Sequence, residues 1–114
     1  MRGLSPPRYG QTTAQVFREL ECLKRRLAGQ FRVEKMILFG SRARRDWLLD
    51  SDADLMVISP DFEGLRFADR SAEILWRWRG RVDLEVFCYT PAEIADRRRD
   101  IGIVAQALKE GRRI

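Results

Sequence analysis

Two short stretches decide which fold the sequence predicts: ILFGSRAR at residues 37–44 and SDADLMV at residues 51–57. The hydrophobic run of the first stops at a Gly-Ser pair, and the second opens with two aspartates one residue apart. The second run is apolar at every position from residue 55 to residue 58. A strand that is apolar on both faces belongs in the middle of a sheet with layers on either side. We therefore predict strands over residues 32–39 and 53–59, the second of them central in its sheet.

The rest of the chain predicts a small α/β domain. Helical spacing of apolar residues predicts helices over residues 13–28 and 65–78. A third strand is predicted over residues 82–88. The run TPAE at residues 90–93 has the form of a capping box with Pro at the first helical position, so a short helix follows it. A last helix is expected between Asp100, its cap, and Gly111. This order of elements is that of a compact α/β sandwich.

Length and composition limit the class of protein. The 114 residues suit a single domain, which we place at residues 12–114 behind a flexible leader at residues 1–11. No apolar run approaches the ~20 residues of a membrane span, and the leader lacks the apolar centre of a signal peptide. We therefore expect a cytoplasmic protein with no membrane contact. The net charge of +5 favours polyanionic partners without choosing among them.

The absence of histidine narrows the chemistry. A zinc site is not expected, because there is no histidine, and Cys22 and Cys88 are far apart in the sequence and form no paired motif. The usual general base is missing as well. Any catalysis must therefore use carboxylates, lysine, hydroxyl groups or a metal ion.

The paired aspartates predict a divalent metal site. Residues two apart on a strand point to the same face, with Cα atoms ~6.5–7 Å apart, so Asp52 and Asp54 can both reach one ion or bridge two. Magnesium prefers oxygen ligands and usually takes a few carboxylates together with substrate phosphates. A third carboxylate is expected from the third strand, where an acidic residue between buried neighbours needs a partner. Asp83 is the first choice for it, and Glu85, on the same face, is the reserve.

The Gly-Ser pair predicts a phosphate cradle. Gly40 lets the backbone turn and approach a ligand closely, and the N–H groups that follow favour phosphate oxygens. The Ser41 hydroxyl adds a donor, while Arg42 and Arg44 can neutralise a triphosphate. Each motif alone is common in unrelated proteins, but the ordered combination is much rarer. It indicates a protein that handles a nucleoside triphosphate.

With these motifs the chain resembles the minimal nucleotidyltransferases of the DNA polymerase β superfamily. Their hallmark is Gly-Ser, ten intervening residues and Asp-x-Asp, which residues 40–54 match without adjustment. The resemblance continues through VDL at residues 82–84 to YTPAE at 89–93 and ALKEG at 107–111. It implies a small mixed β-sheet flanked by helices, the palm-like fold of polymerase β. One departure is Arg45, where many relatives have glycine.

The same resemblance implies the roles of the site residues. Gly40 and Ser41 would hold the triphosphate of an NTP, with ATP favoured. Asp52 and Asp54 would bind two Mg²⁺ ions, with Mn²⁺ as an alternative, and Asp83 would complete the triad. The reaction implied is Mg-dependent transfer of a nucleoside monophosphate, AMP from ATP, with release of pyrophosphate.

The resemblance also implies a partner. Larger relatives carry an added helical domain that binds the acceptor, and we expect a second chain to complete that half here. It would be another copy or, as in the family's common bacterial arrangement, a helical HEPN protein. In that arrangement the transferase is the antitoxin and adds AMP to the toxin. The alternatives are a non-catalytic antitoxin that masks its partner and a nucleic-acid-binding module that retains the fold.

The tryptophans of the second helix and the arginines near the C-terminus each allow two interpretations. Trp78 fits the apolar stripe of the second helix and is expected in the core, whereas Trp76 lies off that stripe. Trp76 is either an exposed interface anchor or packs under the C-terminal helices. The three arginines at residues 97–99 are interpreted as a solvated helix end rather than a nucleic-acid site.

Overall fold

The computed structural model describes residues 13–40, 52–97 and 102–114. Its elements are α1 (Thr13–Leu27), β1 (Lys35–Phe39), β2 (Ala53–Ile58), a 3₁₀ turn (Pro60–Phe62), α2 (Phe67–Leu75), β3 (Leu84–Tyr89), α3 (Pro91–Arg97), α4 (Ile103–Glu110) and β4 (Arg112–Arg113). Every predicted strand and long helix is present. The 3₁₀ turn and β4 were not predicted. The leader at residues 1–11 and the expected cap Asp100 lie outside the described residues, and Gly102 directly precedes α4.

The four strands form one mixed sheet in the order β3-β2-β1-β4. The pairs β1–β2 and β1–β4 are antiparallel, whereas β2 and β3 are parallel. Because β2 has a neighbour on each side, it is central, as its sequence predicts. The small mixed sheet flanked by helices that the resemblance implied is therefore confirmed.

The sheet is covered on both faces. Leu55 and Val57 of β2 contribute to a core with α1, while Met56 and Ile58 face a second core with α4. The first core contains one stripe of α1 and buried residues of β1, α2 and the 3₁₀ turn: Val16, Leu20, Leu23, Leu27, Met36, Leu38, Phe62 and Ile74. The second is smaller and adds Ile37, Phe39, Tyr89, Val104 and Ala107. The prediction that β2 is apolar on both faces is confirmed.

Helix α2 ends three residues earlier than its periodicity predicts. After Leu75 the backbone closes into tight turns, in which the N–H of Trp78 bonds to the carbonyl of Leu75 at 3.1 Å. The indole of Trp78 then donates to the Val82 carbonyl at 2.9 Å and packs against the first core. Trp78 is thus half-buried against the core, as its place on the apolar stripe predicts, but a turn rather than the helix brings it there. Trp76 is 60% exposed, so it does not pack under the C-terminal helices.

The capping box predicted at residues 90–93 is present. The N–H of Thr90 donates to Glu93 Oε1 at 2.8 Å, and the N–H of Glu93 donates to the Thr90 hydroxyl at 3.2 Å. These bonds satisfy two backbone donors at the start of α3. Among the described residues, no helix is long and apolar enough to cross a membrane.

Candidate functional site

The ends of three strands meet where the sequence predicts the site. Because β1 and β2 are antiparallel, the end of β1 lies beside the start of β2, and Phe39 pairs with Asp54. Because β2 and β3 are parallel, their starts lie together, and Asp54 pairs with Glu85. Gly40, which directly follows β1, therefore reaches the same end of the sheet as the acidic residues.

The carboxylates share one face of the sheet. Residues paired across neighbouring strands point to the same side, so Asp54 and Glu85 lie on the face of Phe39. Asp52 and Asp83, each two residues earlier, follow on that face by strand alternation. The backbone hydrogen bonding between β2 and β3 extends to Asp83, whose carbonyl accepts the N–H of Ala53 at 2.9 Å. Asp54 thus has Glu85 as its acidic neighbour on β3, and Asp52 and Asp83 directly precede the two paired strands.

The carboxylates at this end of the sheet carry like charges that repel one another. Burial raises the pKa of Asp54 above its usual value, and the neighbouring negative charges of Glu85 and then Asp52 raise it further. Carboxylates held together in this way repel until a cation neutralises them. The other three acidic side chains, those of Asp52, Asp83 and Glu85, are exposed to solvent.

Gly40 is required by two features of its surroundings. Its φ of 77° lies in the left-handed region, which L side chains rarely adopt. A Cβ at this position would also collide with the Asp54 carboxylate, whose Cγ would stand 3.3 Å away. From the sequence, Gly40 was predicted only to allow a turn and the close approach of a ligand, and its contact with Asp54 was not predicted. The hairpin register that pairs Phe39 with Asp54 was the available signal.

The donor set agrees in chemistry with a hard divalent cation. Asp52 and Asp54 supply carboxylate oxygens on one face, and their mutual repulsion favours a bound cation. Within the described ranges, no three His, Cys, Asp or Glu side chains converge closely enough to hold one ion by themselves. Magnesium does not need such a cage, since it usually combines one or two carboxylates with water and substrate phosphates.

The remaining predicted site residues are only partly placed. Asp83 directly precedes β3 and accepts the N–H of Ala53, while its reserve Glu85 is the direct neighbour of Asp54 and acts on the Asp54 charge. The choice between them as third carboxylate stays a prediction. Ser41, Arg42 and Arg44, together with Arg45, lie in residues 41–51, outside the described part of the chain.

An apolar floor continues the face beyond the carboxylates. Phe87, two residues after Glu85, is half-buried, and its ring centroid lies 5.7 Å from that of Phe39. Residues of α4, with Tyr89, cover the same face towards the other end of β2.

Comparison with known proteins gives one family and one fold. The family model described as nucleotidyltransferase domain matches residues 20–110. A solved structure described as "a putative nucleotidyltransferase from Sulfolobus solfataricus" is similar to the chain at 26% identity and a TM-score of 0.61. The alignment covers 88% of this chain and 87% of that one. No curated protein matches the chain.

Proposed function

The chain belongs to the nucleotidyltransferase domain family, and we propose that it transfers AMP from ATP to a hydroxyl group of a partner protein. Nucleotidyl transfer is the activity of the family; the nucleotide, the metal and the acceptor are our proposal. The observation that carries it is the meeting of Gly40 with the carboxylates of β2 at one sheet end. This end combines a close-approach glycine with acidic ligands, which a metal–triphosphate complex requires.

The proposed reaction is an in-line displacement at phosphorus. The acceptor oxygen forms a new bond to the α-phosphorus, and the bond from that phosphorus to the bridging oxygen of the β-phosphate breaks. Pyrophosphate leaves with the electron pair of the broken bond. The Asp83 carboxylate takes the proton of the acceptor hydroxyl, and Glu85 is the alternative base on the same face.

We propose that Asp52 and Asp54 hold Mg²⁺ for this reaction, with Mn²⁺ as an alternative ion. Bound there with the phosphates, the metal would neutralise negative charge on the triphosphate and on the departing pyrophosphate. The raised pKa of Asp54 supports this role, since burial and then the neighbouring charges of Glu85 and Asp52 make its negative charge unfavourable, and a cation would relieve that cost. Gly40 and, beyond it, Ser41, Arg42 and Arg44 would hold the triphosphate.

We propose a helical HEPN-type toxin as the acceptor, with this chain as its antitoxin. The described residues form one sheet and its covering helices, and none of them forms a second lobe facing the carboxylates. A partner protein would supply that half of the site. The 60% exposure of Trp76 is consistent with an interface, because tryptophan is a common anchor residue there.

Intact-mass measurement of the acceptor tests the proposal. The chain is incubated with MgATP and the product of the adjacent gene, and we expect that product to gain the mass of one or more AMP units. Asp52→Asn combined with Asp54→Asn should abolish the gain. The control, Glu21→Gln with Asp96→Asn, removes the same charge at exposed positions outside the site and should retain it.

The two outcomes of the variant separate transfer from masking. If the double aspartate variant modifies the acceptor as well as the native protein does, the site assignment is wrong. If the acceptor is never modified but the variant still neutralises it in cells, the chain acts by masking its partner.

A further inference from the structure

A small cavity lies at the opposite end of β1 from the carboxylates. Its volume is about 200 Å³, and its lining residues are Lys35, Ile37, Ala107, Leu108, Gly111 and Arg113. Ile37 and Ala107 are buried, and Leu108 is 39% exposed. Among the described residues, the lining therefore combines two cations with an apolar floor and includes no carboxylate.

Strand register explains why both cations meet at this cavity. Arg113 of β4 pairs with Ile37 of β1, so the two side chains share a face. Lys35 lies two residues before Ile37 and follows on that face. Within the described ranges, Lys35 makes no ion pair, and Arg113 only reaches the Glu34 carbonyl at 3.5 Å. Both cations are therefore available to a ligand.

Position and size separate this cavity from the nucleotide site. Gly40 follows Lys35 by five residue steps along an extended strand, a distance of roughly 17 Å. Pockets that hold drug-sized ligands usually measure about 300–1,000 Å³. The smaller volume here suits one or two side chains of a protein rather than a nucleotide.

The backbone of β4 offers unpaired groups beside the cavity. The N–H of Ile114 bonds to the Met36 carbonyl at 2.8 Å. In an antiparallel ladder, bonded and non-bonded pairs alternate, so the N–H and C=O of Arg113 point away from β1. Among the described strands, none pairs with this outer side of β4. Such an edge can accept an added strand.

We propose that this surface binds an extended acidic segment of a partner protein by strand addition. We call it the β4 edge site and define it by Lys35, Ile37, Leu108 and Arg113. The segment's backbone would bond to Arg113, its acidic side chains would meet the two cations, and an apolar side chain between them would enter the cavity. The proposal goes beyond nucleotidyl transfer and holds whether or not that transfer occurs.

Other occupants fit the surface less well. A second copy paired through β4 would bring Arg112 and Arg113 against the same arginines, and like charges opposite each other are unfavourable. Arg112 points to the other face, where its guanidinium lies 4.6 Å from the ring centroid of Phe17, so both faces of the edge are cationic. RNA would satisfy the cations but has no peptide backbone to pair with Arg113 and no aliphatic side chain for the cavity.

Peptide binding to the full chain tests the proposal directly. The probe is a fluorescein-labelled peptide that alternates Glu and Val over eight residues. Its binding is measured by fluorescence anisotropy at low and at moderate salt concentration. A second peptide replaces every Glu with Lys, and a third keeps the sequence but carries N-methyl groups on alternate amides. A single-stranded oligouridylate is the nucleic-acid arm.

The matched variants separate this site from general charge. Lys35→Glu with Arg113→Glu reverses the two cations of the site. Arg26→Glu with Arg32→Glu changes net charge equally at exposed positions that do not line the cavity. Thermal unfolding of both variants verifies that each is folded. Leu108→Asp probes the apolar floor without removing a cation.

We expect the Glu-Val peptide to bind saturably with a Kd of about 100 μM or lower. Reversal of Lys35 and Arg113 should weaken it by about tenfold or more, while the Arg26/Arg32 control changes it less than about threefold. The Lys peptide and the N-methylated peptide should not bind. The proposal is overturned if the acidic peptide fails to bind, if N-methylation has no effect, or if only the oligouridylate binds.

Discussion

The ion pair between Arg70 and Glu93 is the contact whose removal tests the packing of α2 and α3 most sharply. The Arg70 side chain is 6% exposed, and its guanidinium donates to Glu93 Oε1 at 2.7 Å and to Glu93 Oε2 at 3.2 Å. It also donates to the carbonyls of Leu65 and Cys88, at 2.8 Å and 3.2 Å. Through one side chain, α2 is thus tied to β3 and α3. We predict that the two residues are strongly coupled in stability.

The magnitude follows from burial. Removing one partner of a fully buried ion pair costs about 3–5 kcal/mol, because the other charge stays buried without compensation. The Glu93 side chain is 27% exposed, so water can partly hydrate Arg70 once Glu93 is truncated. We therefore expect Glu93→Ala to lower the free energy of unfolding by about 2–3 kcal/mol, including its share of the capping box. Arg70→Leu should cost about 2 kcal/mol through the lost bonds.

A double-mutant cycle by urea denaturation gives the coupling. If the pair acts as a unit, the double variant should lose about 3 kcal/mol rather than the sum of roughly 4–5 kcal/mol. The melting temperature of Glu93→Ala should fall by about 10 °C. Single losses that add within about 0.5 kcal/mol would refute the reasoning, because two residues that share no interaction are expected to be additive.

The same pair predicts a dependence on pH. The hydrogen bond from Arg70 holds the pKa of Glu93 below its ordinary value of 4.5. A lowered folded-state pKa contributes stability above the unfolded-state pKa, and that contribution is lost as pH falls through the folded-state pKa. The difference in unfolding free energy between the native protein and Glu93→Gln should therefore be largest near neutral pH. It should shrink as pH falls below about 4.5.

Three further predictions concern single residues. Gly40→Ala should abolish nucleotidyl transfer and lower the free energy of unfolding by about 2–3 kcal/mol. Gly64 has a similar φ of 84° but nothing within 4 Å of an added Cβ. Gly64→Ala should therefore lower the free energy of unfolding by only about 1–2 kcal/mol and leave transfer intact. Ellman's reagent should titrate one thiol in the folded protein and two in urea. Burial raises the pKa of Cys88 to about 12, whereas Cys22 is only half-buried. Two reactive thiols in the folded state would contradict the burial of Cys88. Trp76→Ala should lower the free energy of unfolding by less than about 1 kcal/mol, whereas Phe62→Ala, at a fully buried position, should lower it by about 3–5 kcal/mol. Equal losses would contradict the exposed position of Trp76.

Local pattern was sufficient for much of the fold. The burial of β2 on both faces, the helical stripe of α1 and the capping box of α3 depend on residues close in sequence, and each was predictable. The gathering of Gly40 with the aspartates was also predictable, because a strand end and a strand start must meet in a hairpin.

Long-range contacts decided what the sequence could not indicate. Strand β4 consists of two arginines, which are not among the β-branched and aromatic residues that favour strands, and it forms because the chain after Gly111 runs back along β1. The early end of α2 depends on the bond from Trp78 to the Val82 carbonyl. The pairing of Glu85, rather than Asp83, with Asp54 depends on the register of β3, which no local motif specifies. Burial of Arg70 needs Glu93, 23 residues away.

The most direct test of the central claim follows the two ends of the triphosphate separately. The chain, Mg²⁺ and the acceptor protein are incubated with ATP labelled at the α-phosphate or, in parallel, at the γ-phosphate. Transfer of AMP through the carboxylate end of the sheet predicts label on the acceptor from α-labelled ATP only, with none when Asp52 and Asp54 are replaced by Asn. Label from γ-labelled ATP, or α-label that survives the double replacement, would contradict it.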